Sequence, residues 1–170
     1  MSVPTIQEAM LKVEEYYKSK SDPGPEADTR ATAIMENGLV CGIKPPNGKT
    51  VYTDMPDAVG GTTTAGSPGW LQRAAIASCD ATLLTMRAAR EGIKLDVVEV
   101  SVDAMSDGRG LFLDEGISPG STGVRILFKI GATGVPREKL QEMVDWVSAH
   151  SPVGTDVEKA VDVSVELELV

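Results

Sequence analysis

The order of elements along this chain predicts an α+β fold, in which antiparallel sheets each turn one apolar face to the helices. Three observations carry that reading. Segments with period-two alternation are grouped together, so no repeated strand–helix–strand unit builds a parallel sheet. Asn37-Gly38 separates two of these segments, which is a strong short-range hairpin signal. The stretch SPGWLQRAAIASCDATLLTMRAAREG, Ser67 to Gly92, is marked as one helix at both ends and is apolar most of the way round, so it expects cover on more than one side.

Each element has a local reason. Thr5 to Lys18 reads as an amphipathic helix: Thr5 and Glu8 make a capping box, and Ile6, Met10, Val13 and Tyr17 fall on one stripe. The polar Pro/Gly run SKSDPGPEAD follows, so residues 1–26 are read as an added helix and linker, and residues 27–170 as the main domain. RATAIME and LVCGIK flank the Asn-Gly turn, PPNGK leads to a third strand in TVYTDMP, and DAVGGTTTAG reads as a flexible loop. In the long helix Ser67 offers a capping oxygen and Pro68 suits the first helical position. Gly92 can close the other end in the left-handed conformation, with Arg87 and Arg90 near the negative pole.

KLDVVEVSVDAM and VRILFKIGA predict two further strands, on either side of the Gly/Asp-rich excursion SDGRGLFLDEGISPGSTG. Pro136 opens a helix over PREKLQEMVDWVSAH, with Leu140, Met143, Val144 and Val147 on its inner face. A short helical turn from Thr155, boxed with Glu158, leads to VDVSVELELV. That segment predicts a last strand, with Val161, Val163, Val165, Leu167 and Leu169 facing one way and the acids the other.

The totals bound the function. A chain of 170 residues suffices for one domain with its own core, and with aromatics at 4% that core must be aliphatic. A formal charge of −9 argues against nucleic-acid or anionic-membrane surfaces, which need clustered Lys and Arg. MSVPTIQEAM lacks a basic-then-apolar signal pattern, and no run approaches the ~18 apolar residues of a membrane span. Cys41 and Cys79 are too few for a disulfide scaffold, which points to the cytoplasm, where free thiols stay reduced. No His/Cys/Asp/Glu cluster has metal-ligand spacing, and Gly60 and Gly61 carry no phosphate-binding pattern, so neither metal nor cofactor is expected. The surplus apolar side of the long helix is most simply covered by a second copy of the chain, which predicts a homodimer.

The element order and four phrases resemble the OsmC/Ohr family of small α+β proteins. The phrases are DMPDAVGG before the long helix, SPGWLQRAAIASC within it, AREGIKLDVVEVSV after it, and HSPVGTDVEKAVDVSVELEL at the end. The resemblance covers roughly Ala27 to Val170. It implies an intertwined homodimer, with sheets wrapped around the central helix and active sites at the subunit interface. It further implies reduction of organic hydroperoxides: a cysteine on the central helix is oxidised, a second cysteine closes a disulfide, and an external dithiol reduces it. An arginine and a glutamate hold the first thiolate. The first cysteine falls on Cys79, but the other three positions depart. The glutamate position is Gly69, the arginine position falls at about Glu36, and the second cysteine is Ser151.

Cys79 therefore admits three readings: a small core residue, the nucleophile of a one-cysteine peroxidase reduced by an external thiol, or a thiol that lines a binding pocket without turnover. A thiolate needs stabilisation, because a free cysteine near pKa ~8.5 is only slightly ionised at neutral pH. Cys79 lies beyond the first turn, where the helix dipole acts, and its helix neighbours Ala75, Ile76, Thr82 and Leu83 include no cation. Asp80, if it acts at all, opposes ionisation. His150, the single histidine, reads as a last-turn residue at a helix C-terminus or as a partner for Cys79. Arg109, in DGRG, reads as a solvated loop residue or as a replacement for the missing arginine. Trp70 either caps the core or lines a pocket, and Cys41 either packs in the core or pairs with Cys79.

Overall fold

The computed structural model describes residues 3–113, 116–159 and 161–169. Helix α1 covers Val3–Ser19, followed by strands β1 Ala33–Asn37, β2 Val40–Ile43 and β3 Val51–Thr53. A single 3₁₀ turn at Asp57–Val59 precedes α2, Pro68–Arg90. Then come β4 Val97–Ser106, the short helix α3 Arg109–Phe112, β5 Ser121–Gly131, α4 Arg137–His150 and α5 Pro152–Glu158. The architecture is α+β, with a three-stranded sheet β1-β2-β3 and a two-stranded sheet β4-β5. The chain divides into two compact units. One comprises Met1–Met10, Ile76–Val102 and Arg125–Val170, and the other Leu11–Ala75 and Asp103–Val124.

In the first unit the centre is small and aliphatic. Leu84, Ala88, Met143 and Val147 are buried together, with Leu83, Ile93, Leu95, Val98, Phe128, Ile130, Leu140 and Trp146 packed around them. The buried row on α2 runs Ile76, Asp80, Leu84, Ala88, one residue per turn, as an i,i+4 ridge should. The C-terminus of α2 is closed by two bonds, Gly92 N–H to Ala89 O at 3.1 Å and Ile93 N–H to Ala88 O at 2.9 Å. Gly92 has φ +71°. This is the Schellman arrangement, which satisfies orphan carbonyls and sets Ile93 against Ala88. Gln7 Nε2 of α1 adds a donor to the Arg90 carbonyl at 3.2 Å. Strands β4 and β5 run in opposite directions, with the Asp96 N–H donating to Gly131 O and Lys129 reaching Glu99 at 3.1 Å.

In the second unit β1 and β2 pair antiparallel, Ala33 opposite Ile43 and Met35 opposite Cys41, with an irregularity between Met35 and Asn37. Asn37 itself pairs with Val40, so the two turn residues are Gly38 and Leu39, one position later than the Asn-Gly signal suggests; Gly38 takes φ +57°. The segment after β3 departs from the flexible loop expected of DAVGGTTTAG. The Asp54 carboxylate, 1% exposed, accepts from Met55 N, Thr62 N, Thr62 Oγ1, Thr64 N and Thr64 Oγ1 at 2.6 to 3.1 Å. The hydrogen bond from the Thr62 hydroxyl, with those from the backbone of Thr64, Met55 and Thr62, holds this carboxyl far below the usual carboxylate range. Gly61 approaches so closely that a Cβ there would stand 1.8 Å from Met55 O, and Thr63 is held at φ +54°.

Three further expectations shift. Helix α1 begins at Val3, so Thr5 and Glu8 lie inside it instead of forming its capping box. Helix α5 starts at Pro152 with Ser151 as its cap, three residues before the Thr155 box; the competing signal is Ser-Pro, the same pair that opens α2. The last predicted strand does not form, and residues 161–169 carry no assigned secondary structure. Alternation alone makes no strand: a strand needs an edge to donate to, and Val163, Val165, Leu167 and Leu169 are more than 80% exposed.

Candidate functional site

Position Cys79 lies on the half-buried flank of α2, next to the buried Ile76–Asp80–Leu84 row. Across from it the chain passes from α4 into α5 at Ser151, which is 2% exposed. The Ser151 hydroxyl donates to Cys79 Sγ at 3.6 Å and accepts from the Gly154 N–H at 3.1 Å. Capping therefore fixes the hydroxyl: the oxygen that satisfies the first turn of α5 is the oxygen that faces the thiol. Asp80, 1% exposed, lies alongside the same hydroxyl, and its Oδ1 has no hydrogen-bond partner. Burial pushes the Asp80 carboxyl up, against the opposing effect of the Ser151 hydrogen bond.

The other candidates have partners of their own. His150 stacks on Trp146, ring centroids 4.3 Å apart at 14°, and its Nδ1 lies 2.8 Å from the Trp146 carbonyl oxygen. The residue at this corner that reaches the thiol is Ser151. Arg109 is engaged by Asp107, its Nε at 3.0 and 3.1 Å from the two carboxylate oxygens and a terminal nitrogen at 2.6 Å from Oδ2. Trp70, 53% exposed, lies in the other unit, where its ring covers Gly66 and its backbone N–H donates to Ser67 Oγ at 3.2 Å. Cys41, opposite Met35 and Thr53 on β2, belongs to that unit as well, and both cysteines are free. At the arginine position, Glu36 lies across Gly42 of the hairpin. Among the described residues no group of three or more His, Cys, Asp and Glu could hold a metal.

A second charged cluster marks the far end of α2. Arg87 pairs with Glu91 at 2.6 Å, Lys139 with Glu91 at 2.7 Å, and the Arg87 guanidinium lies 4.9 Å from the Trp146 ring centre. Burial pushes Glu91 up, but the Lys139 hydrogen bond and the charges of Arg87 and Lys139 outweigh it, and the carboxyl is net lowered. This cluster ties α2 to α4 and has no nucleophile.

Asp80, which the sequence offers only as an anion opposing ionisation of Cys79, is the member not expected beside Ser151. Its signal is legible afterwards: one acid in an apolar helix, spaced four residues from Ile76 and four from Leu84.

The OsmC-like protein family matches over residues 61–166. Among curated proteins none matches. Several solved structures share the fold. An OsmC-like protein from Mycoplasma pneumoniae superposes with a TM-score of 0.68 at 13% identity, covering 80% of this chain and 91% of that one. An organic hydroperoxide resistance protein OsmC from Legionella pneumophila gives 0.57 at 18%, covering 81% and 95%. The organic hydroperoxide resistance protein OhrB of Bacillus subtilis gives 0.51 at 24%, covering 82% and 98%. With the family matched over the central helix, the following hairpin and the Ser151 corner, the chain belongs to the OsmC-like family.

Proposed function

We propose that this protein reduces organic hydroperoxides through Cys79 alone, with an external thiol as reductant, as part of oxidative-stress defence. The observation that carries the reading is the 3.6 Å contact between Cys79 Sγ and the Ser151 hydroxyl. Ser151 occupies the position that the family resemblance assigns to a second cysteine, so the pairing is kept while the second sulfur is replaced. The two hydroperoxide resistance proteins of similar fold support the substrate class.

The chemistry follows from a single sulfur. The Cys79 thiolate attacks the terminal oxygen of the hydroperoxide, the O–O bond breaks, the alcohol leaves with a proton, and Cys79 becomes a sulfenic acid. No second cysteine closes a disulfide at this corner. An external thiol attacks the sulfenic sulfur, water leaves, and a second thiol frees Cys79 from the mixed disulfide. We place the reaction in the cytoplasm, where such thiols are available.

The assembly that suits this reading is a homodimer. Apolar side chains stand exposed on several elements, Leu111, Phe112 and Leu127 among them at 54 to 64%. On α2, Leu71, Ala74, Cys79, Leu83 and Met86 are half-buried and leave apolar surface for a second copy to cover.

The test is consumption of cumene hydroperoxide with dithiothreitol, wild type against Cys79→Ser. Dithiol-dependent turnover that disappears in Cys79→Ser is the expected result, with a sulfenic acid trapped on Cys79 by dimedone. The second reading, a non-catalytic pocket for a small molecule, is favoured by Gly69 and Glu36 at the positions of the family's glutamate and arginine. Equal, negligible turnover in the two proteins would select it.

A further inference from the structure

We infer that Asp80 and Ser151 form a proton relay for Cys79, in which the thiol proton passes through the Ser151 hydroxyl to the Asp80 carboxylate. The inference rests on the reading of Cys79 as the reacting thiol. It assigns Asp80 a positioning role, acting through Ser151, that replaces the cation missing from this site.

The argument starts from the hydrogens available. Ser151 Oγ has one hydrogen and two lone pairs, and the Gly154 N–H takes one lone pair. One donor and one acceptor function remain, and the two groups beside them are Cys79 Sγ and the Asp80 carboxyl. The hydroxyl cannot donate to both at once. In one arrangement the thiol donates to Oγ and the hydroxyl donates to the Asp80 carboxylate. In the other, protonated Asp80 donates to Oγ and the hydroxyl donates to the Cys79 thiolate.

Passing between them breaks the S–H bond, forms an O–H bond on Ser151, and moves the serine's own hydrogen to Asp80. One negative charge moves from carboxylate to sulfur, the net charge is unchanged, and nothing outside the trio is required. A protonated Asp80 suits its surroundings. Its carboxyl is 1% exposed with Oδ1 unpartnered, and a carboxylate left so is costly while a carboxylic acid is tolerated.

Neighbouring charges do not substitute for the relay. His150, at the end of α4, has its ring on Trp146. Arg87, seven residues further along α2, is held by Glu91 and Trp146, and Lys139 of α4 is held by Glu91 and Glu142. The first turn of α5 brings Ser151 and the Gly154 N–H to the thiol.

The experiment is alkylation of the full chain by iodoacetamide over a pH series, read separately for the Cys79 and Cys41 peptides by mass spectrometry. Asp80→Asn and Ser151→Ala should each slow Cys79 alkylation at neutral pH by about tenfold. Both should move its half-maximal rate to higher pH and leave Cys41 unchanged. Ser151→Thr, which keeps the hydroxyl, should restore the wild-type profile. An unchanged Cys79 profile in Asp80→Asn and Ser151→Ala overturns the relay. So does faster alkylation in Asp80→Asn, the result expected if Asp80 were a fixed anion repelling the thiolate. If Asp80→Asn does not fold, Ser151→Ala and Ser151→Thr decide alone. Alkylation uses no hydroperoxide, so loss of the peroxidase reading leaves this result standing, and the converse also holds.

Discussion

Ser151 caps α5 and touches Cys79 with the same oxygen, so its substitution has two consequences that can be separated. In Ser151→Cys a sulfur stands where the hydroxyl was. One equivalent of cumene hydroperoxide should then close a disulfide between Cys79 and the introduced thiol, seen as an intramolecular cross-link in the peptide map. The lost cap should cost about 1 kcal/mol, a lowered melting temperature in the reduced protein. Asp80 makes a different prediction, about pH. Its folded carboxyl is raised by burial, so its contribution to stability is fully present below the unfolded value of 3.8 and is lost as pH rises through the folded one. Asp80→Asn carries no such loss. Its melting temperature relative to wild type should therefore rise from acid to neutral pH, and a difference independent of pH would contradict the raised carboxyl.

One loop owes its form to the donors gathered around a single carboxylate. The segment between β3 and α2 is ordered by Asp54, whose lowered carboxyl stabilises the fold above its unfolded value of 3.8 and loses that effect only in strong acid. Gly61 is confined by the Met55 carbonyl, so Gly61→Ala forces the backbone to move and should destabilise by well over the ~1 kcal/mol of an average substitution, measured by urea unfolding. Helix α1 offers a contrast. One link to α2 is the Gln7 bond to the Arg90 carbonyl, and Val13 and Tyr17 of its predicted stripe remain exposed at 53% and 52%. Removing residues 1–26 should leave a folded protein, less stable by about 1 kcal/mol for that bond plus the packing of Ile6 and Met10. An unfolded truncation would make the helix part of the main domain.

At the scale of the whole molecule the dominant fact is exposed apolar surface. Met105, Leu111, Phe112, Leu127, Val163, Val165, Leu167 and Leu169 are apolar and exposed. The proposed partner copy would cover this surface in an interface of the large obligate kind. Sedimentation at micromolar concentration should show a dimer, and a folded monomer would remove the basis for it. Leu83, packed beside Leu84 and Met143 on the half-covered side of α2, is the position to probe. Leu83→Glu should abolish folding or dimerisation, because an unpaired charge would be buried with no partner.

How much of this was legible depends on the range of the interaction. The ends of α2 were readable because caps are local: Ser67, Pro68 and Gly92 act within a turn of themselves, and the structure puts Ser67 Oγ on the Trp70 N–H and Gly92 at positive φ. The strands β1 to β5 and the inner face of α4 were readable from periodicity, since alternating or fourfold spacing is the condition for burying one face. Cys79 and Ser151 could be named from the sequence, but their contact spans 72 residues and no spacing rule reaches so far. Local signals also competed, as when Ser151-Pro152 won over Thr155 and Glu158 for the start of α5. The ordering of 54–66 and the burial of Asp80 beside Ser151 were decided only in three dimensions, because a carboxylate's role depends on the donors that folding brings to it. The same holds for the last segment: its alternation determines which face is apolar, and an available sheet edge determines whether it becomes a strand.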